Sequence, residues 1–193
     1  MTNPKQSTKV VRAGIESDTQ HNAVIPPIYL SSNFAFEDFG KPGKYDYTRS
    51  GNPTRDLLAE ALADLENGFG AVITATGMAA VTLVLQLCKP DELIFAPHDC
   101  YGGTYRLLNQ LKLREVVNAE FHNQLDDDFI EKIIVRQPKL VWIETPSNPL
   151  LRITDIVKIA EAAHQVGAVV VVDNTFLSPA LQQPLNLGAD IVI

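Results

Sequence analysis

The chain has 193 residues with 46% hydrophobic side chains and a net charge of −7, and its mean hydropathy of +0.02 describes soluble globular material able to bury one sizeable core. The acidic balance, with a pI of about 5.0, excludes nucleic acid and an anionic membrane surface as partners, because both require a basic patch. The longest apolar run, near 166–172, is too short to span a bilayer, and no apolar leader and only two cysteines, Cys88 and Cys100, point to a reducing, cytoplasmic setting.

Residues 1–55 read as an irregular arm, with Pro26, Pro27, Gly40, Pro42 and Gly43 set among Tyr29, Phe34, Phe36, Phe39, Tyr45 and Tyr47. Aromatics in such an arm need another surface to cover them, which implies a neighbouring subunit. Residues 56–193 read as the first part of a domain. "PTRDLLAEALADLENG" places Leu57, Leu58, Ala61, Leu62 and Leu65 on one helical face, with Thr54 as N-cap and Gly68 as stop. "AVITAT" (71–76) predicts a strand, and "MAAVTLVLQLC" from Met78 a mostly buried helix. Three strand–helix pairs follow, "ELIFAP" and "TYRLLNQLK", "EVVNAEF" and "DDDFIEKIIVRQ", "KLVWIET" and "DIVKIAEAAHQVG", then the strand "AVVVV" and the opening of another, "ADIVI". Strands apolar throughout and alternating with helices predict an α/β fold, a mostly parallel sheet with helices on both faces. A chain ending inside a buried strand implies a fragment.

In such sheets ligands bind beyond the carboxyl ends of the strands. At the first end, Gly77 and Met78 open a helix whose free amides suit an anion; an ordinary tight turn would read the same way. No G-x-G-x-x-G and no P-loop pattern is present. At "APHDCYGGTYRL", adjacent His98, Asp99 and Cys100 do not converge on a metal, and Cys100 lacks a base partner. Tyr101 either stacks on a flat ligand ring or packs on the core. Arg106 either binds a carboxylate or lies in solvent. In "WIETPSNPLL", Glu144 ends the strand and Asn148 either holds a ligand oxygen or caps the turn. At "VVVVDNT", Asp173 caps a turn through Asn174 and Thr175, or it pairs with a cationic heteroaromatic nitrogen. Upstream, Tyr47 and Arg49 form a phosphate clamp or a solvated loop. Together these features fit pyridoxal 5′-phosphate (PLP) better than any nucleotide.

"YDYTRSGNPTR", "ATGMAA", "HDCYGGTYRL", "ETPSNPLL" and "VVDNTFLSPALQQPLNLGAD" resemble, in order and along essentially the whole chain, the Cys/Met-metabolism PLP enzymes, a family of cystathionine synthases and lyases, methionine γ-lyases and homoserine sulfhydrylases. "APHDCYGGTYRL" is most similar to the bacterial cystathionine γ-synthase branch. The resemblance implies a PLP fold type I (aspartate-aminotransferase-like) large domain, incomplete at the C-terminus, and a homotetramer with sites shared between subunits. It implies PLP as cofactor and small amino acids as substrates, with γ-replacement on an O-succinyl- or O-acetylhomoserine as the reaction. It further implies that Gly77 and Met78 bind the cofactor phosphate, and that Tyr47 and Arg49 bind the neighbour's. Tyr101 would stack on the ring and move protons, Asp173 with Thr175 would hold the ring nitrogen, and Asn148 and Arg106 would contact substrate; no metal is implied. The family's Schiff-base lysine follows the strand that "ADIVI" starts, beyond Ile193, and the nine lysines here lie in no such context. The chain alone is therefore expected not to catalyse the reaction. A reading from another class is a non-catalytic fragment with a PLP-type fold.

Overall fold

The computed structural model describes residues 4–193, which divide into two compact units, one ending at Ile73 and one running from Thr74 to Ile193. The first holds α1 (Gln6–Arg12) and α2 (Pro53–Glu66) with an irregular segment between them. Asn52, not Thr54, caps α2: its side chain accepts from the Thr54 amide at 2.9 Å, and Pro53 takes the first helical position, where no amide is needed. The Thr54 hydroxyl instead accepts from the Tyr29 amide at 2.9 Å. At the other end Asn67, rather than Gly68, adopts the left-handed conformation (φ 55°), and the Gly68 amide reaches back to the Ala63 carbonyl at 2.8 Å.

The second unit is a layered α/β structure. Its elements are α3 (Gly77–Leu85), β1 (Leu93–Pro97), α4 (Gly102–Leu113), β2 (Asn118–His122), α5 (Phe129–Arg136), β3 (Leu140–Glu144), α6 (Ile156–Gln165), β4 (Val169–Asp173), α7 (Ser178–Leu181) and β5 (Ile191–Val192). A 3-10 turn, Pro184–Leu187, precedes β5. All strand pairs are parallel, in the order β2-β1-β3-β4-β5.

Alternate residues of each strand feed two cores. Phe95, Val141, Ile143, Val170 and Val172 pack with Phe129 and Ile133 of α5 and with Ile156, Ile159 and Ala163 of α6. Ile94, Ala96, Leu140, Trp142 and Val171 pack on the other face with Val81 and Leu85 of α3 and Leu108 of α4. Burial on both faces is why the strands read as unbroken apolar runs.

Three expectations fail locally. Residues 71–76 form no strand: Ala71 and Val72 are exposed, and no strand of the sheet pairs with them. β2 begins at Asn118 rather than Glu115, because Glu115 turns the chain out of α4 with φ 58°. α3 closes at Leu85, and Gln86 to Cys88 form a capping turn instead of more helix.

The order of the strands places the site. From β1 the chain moves outward to β2, then returns past β1 to β3 on its other side. Neighbouring connections therefore leave in opposite directions between β1 and β3, which opens a crevice at their carboxyl ends.

Candidate functional site

A cavity of about 310 Å³ occupies that crevice, and every residue lining it belongs to the unit Thr74–Ile193. Its walls come from the start of α3 (Gly77, Met78), the β1–α4 turn (Tyr101), the end of β3 and its turn (Glu144, Asn148) and the end of β4 (Asp173, Thr175). The cavity thus gathers residues that stand nearly a hundred positions apart in sequence.

One end presents helix-start amides, which suit an anion. Thr76 is extended (φ −151°), and its hydroxyl accepts from the Ala79 amide at 3.1 Å, which fixes the first turn of α3. The Gly77 and Met78 amides, first in the helix, have no acceptor within it, and the helix dipole adds positive potential there. A Cβ built at Gly77 would meet nothing within 4 Å, so its missing side chain leaves room for a ligand rather than for packing. Thr104, 0% exposed, lines the same cavity, and its hydroxyl lacks a partner among the described residues.

The other end is acidic. Glu144 and Asp173 are paired in register across β3 and β4 and are 4% and 9% exposed. No lysine or arginine lines the cavity. Asp173 Oδ1 accepts from the Thr175 hydroxyl at 2.6 Å and from the Thr175 amide at 3.1 Å. Its Oδ2 has no hydrogen-bond partner among the described residues. The carboxylate therefore caps its turn with one oxygen and leaves the other without a hydrogen bond. Beneath it, Asn174 and Gln182 exchange amide hydrogen bonds: Gln182 Nε2 donates to Asn174 Oδ1 at 2.9 Å, and Asn174 Nδ2 donates to the Gln182 carbonyl at 2.9 Å. Such a reciprocal pair holds the turn after β4 rigid.

Glu144 is the site residue the sequence did not reveal in a role. Its Oε2 accepts from the Tyr101 amide at 2.8 Å and its Oε1 from the Asn148 amide at 2.7 Å. Burial pushes its carboxyl up to about 7; the two amides oppose that, and the charges of Asp173 and Asp99 add to it. Burial likewise pushes the Cys100 thiol up to about 12, with the charge of Glu144 reinforcing it, so Cys100 is a poor nucleophile. Asp99 serves the scaffold: its Oδ2 accepts from the Ser147 hydroxyl at 2.8 Å and lies 3.8 Å from Arg152 Nε, which ties the β1–α4 turn to the turn after β3.

Other expected site residues lie outside the cavity lining. Arg106, exposed on α4, folds its guanidinium back toward Gly102, where a Cβ would lie 3.1 Å from Nη1. Tyr47 and Arg49 belong to the first unit, where the guanidinium stacks over the phenol ring at 5.0 Å from its centroid. Tyr101 itself is 46% exposed, its ring lying over Gly103.

A flat ligand that is cationic at one edge and carries an anionic group at the other matches these two ends. Residues 7–193 match the family model of the Cys/Met metabolism PLP-dependent enzymes. The cystathionine γ-synthase of Escherichia coli K12 is 54% identical over 190 residues, which is 98% of this chain and 49% of that protein. The cystathionine β-lyase of Coxiella burnetii is 39% identical over 96% of this chain and 48% of its own length. The crystal structure of cystathionine γ-synthase from Xanthomonas oryzae pv. oryzae in complex with cystathionine superposes with a TM-score of 0.96 at 56% identity, over 99% of this chain and 50% of that one. The chain spans about half the length of the relatives it matches. It belongs to the Cys/Met-metabolism PLP-dependent enzymes, fold type I proteins whose cofactor is pyridoxal 5′-phosphate.

Proposed function

We propose that the cavity serves a PLP-dependent γ-replacement, in which an O-succinyl- or O-acetylhomoserine gives up its acyloxy group at Cγ and L-cysteine supplies the sulfur that takes its place. The products are cystathionine and succinate or acetate. The observation that carries the reading is Asp173: a buried carboxylate with one oxygen committed to Thr175 and the other left without a partner, in a cavity lined by no cationic side chain. PLP, when bound, supplies an electron sink that stabilises negative charge at the substrate carbons. Asp173 would hold the protonated ring nitrogen on which that sink depends, and the Gly77 and Met78 amides would hold the phosphate. The unpartnered Thr104 hydroxyl and the open space at Gly77 fit a bound group at that end.

Tyr101 covers the ring and keeps its phenol oxygen for moving a proton, while Asn148 orients substrate or ring oxygen from the facing wall. Arg106 would take the far carboxylate of a succinyl ester after swinging from Gly102. No lysine lines the cavity, and we place the lysine that anchors the cofactor outside this chain. Residues 1–55 would act as an arm of a cytoplasmic homotetramer, with Tyr47 and Arg49 serving a neighbour's phosphate. Among the described residues, no helix is long and apolar enough to cross a membrane.

The synthase reading is supported by relatives at 54% identity against 39% for a β-lyase and 39% for the γ-lyase of Bacillus subtilis. The test is direct. Full-length protein is loaded with PLP and incubated with O-succinylhomoserine or O-acetylhomoserine and cysteine, and cystathionine is measured. Cystathionine formation is expected. Release of homocysteine or cysteine from cystathionine would replace the reading with a lyase, and use of sulfide in place of cysteine with a sulfhydrylase.

A further inference from the structure

Glu144 is buried more deeply than any other acid lining the cavity, yet its carboxylate touches no cation. What it touches is backbone, on both sides. Its Oε2 accepts from the Tyr101 amide at 2.8 Å and its Oε1 from the Asn148 amide at 2.7 Å. Tyr101 sits at the N-cap of α4, where its own side chain makes no capping bond. Asn148 sits in a turn whose two Xaa-Pro bonds, Thr145-Pro146 and Asn148-Pro149, interrupt the supply of backbone donors. Neither segment has a ladder hydrogen bond to fix it at these residues, and both line the cavity.

We propose that Glu144 is a positioning residue that fastens the two walls of the cavity to one carboxylate, so that the Tyr101 ring and the Asn148 side chain keep a set separation. The proposal rests on reading the cavity as the PLP site. Only a carboxylate does this: two facing N–H donors need two acceptor oxygens, and a glutamine would offer one oxygen and one competing NH₂. Glutamate also reaches both amides from a strand end that the sheet holds rigid, in register with Asp173. The acids facing it, Asp173 on β4 and Asp99 on the β1–α4 turn, make its negative charge costly, so the two amides are what justify keeping it there.

The experiment uses full-length protein and two kinds of readout. In the parent, amide hydrogen exchange is followed at Tyr101 and at Gly102, the next residue, whose amide is a free helix-start donor. Tyr101 is expected to exchange at least about tenfold more slowly, as a hydrogen bond to a charged acceptor requires; equal rates overturn the proposal whatever any variant does. In Glu144→Gln, exchange at Tyr101 or Asn148 is expected to accelerate, PLP affinity to fall about tenfold and the circular dichroism of bound PLP to change, with partial recovery in Glu144→Asp. A Glu144→Gln protein with parental exchange, affinity and dichroism overturns it as well. A parent that fails to bind PLP would sink the cofactor reading, while the exchange measurement would still decide whether Glu144 fastens the walls.

Discussion

The ends of β3 and β4 lie side by side, and each finishes a buried strand with a carboxylate, but the two acids face different demands. Glu144 spends both oxygens on backbone amides of neighbouring segments, at 2.8 and 2.7 Å. Asp173 spends one oxygen on its own turn, through Thr175, and keeps the other. The first is an internal fastener, complete without a ligand. The second commits one oxygen and leaves the other without a hydrogen bond, open to a cation in the cavity that it lines. A carboxylate at a strand end is therefore not a signature by itself; what separates structure from chemistry is how many of its lone pairs the protein has already used.

The sharpest way to break the comparison is Asp173→Asn in the full-length protein. The Asn oxygen can still accept from Thr175, so the turn persists, but the proposed partner of the ring nitrogen loses its charge. Removing one member of a buried ion pair costs about 3–5 kcal/mol, so PLP affinity or turnover should fall by about two to four orders of magnitude. The thermal midpoint of the cofactor-free protein should not fall, because the turn keeps its acceptor. A matching loss of cofactor-free stability would mean that Asp173 is a turn cap and nothing more.

These two acids also show what the sequence makes legible. Asp173 is conspicuous because four valines run into it, and period-free apolar runs mark buried parallel strands; the same logic located β1 and β3 and the turns beyond them. Both faces of the sheet are covered, so the strand pattern carried nearly the whole architecture of the second unit. Glu144 was visible as a strand end but silent in role, because its two partners are backbone amides at Tyr101 and Asn148, and a backbone donor has no letter in the sequence. Thr104 was hidden for a related reason, as a hydroxyl inside a helix whose neighbours only the packing defines. The strand expected at 71–76 failed because a strand needs a neighbour, and pairing is not a local property. Thr54 and Gly68 were each one or two residues from the true caps, Asn52 and Asn67, where either residue type fits the local pattern.

Gly103→Ala tests the wall opposite the acids. A Cβ at this position would lie 2.5 Å from Tyr101 Cε1 and 2.9 Å from Met78 Sδ. Overpacking of this kind costs about 1–3 kcal/mol, and the exposed Tyr101 ring is the part free to move. The expected result is roughly a tenfold loss of PLP affinity, with the displaced ring seen crystallographically. An unmoved ring with parental affinity would separate the stacking position from Gly103.

The pH dependence of stability distinguishes the two acids in another way. The Glu144 carboxyl is raised from 4.5 to about 7 by burial first, with the charge of Asp173 among the further causes. A raised carboxyl favours the folded state below its unfolded value, so this contribution is complete at low pH and is lost as pH rises from about 4.5 to about 7. Thermal midpoints of the cofactor-free protein across that window should show the loss. In Asp173→Asn the upper edge should move down, because one of the charges that raises Glu144 is gone. An unmoved edge would mean that the two carboxylates do not sense each other.

The smallest expected effect comes from Thr175→Val, which keeps the shape and the backbone amide at 3.1 Å but deletes the hydroxyl that donates to Asp173 Oδ1 at 2.6 Å. One lost hydrogen bond to a charged acceptor, with a second donor still present, is worth about 1 kcal/mol, or roughly a fivefold loss of PLP affinity. Oδ2 is untouched, so under the proposed assignment the ring nitrogen keeps its partner and only the aim of the carboxylate loosens. If Thr175→Val is instead as damaging as Asp173→Asn, the hydroxyl is not a prop for the acid but a contact to the ligand, and the division of the Asp173 oxygens into one for the turn and one for the ring is wrong.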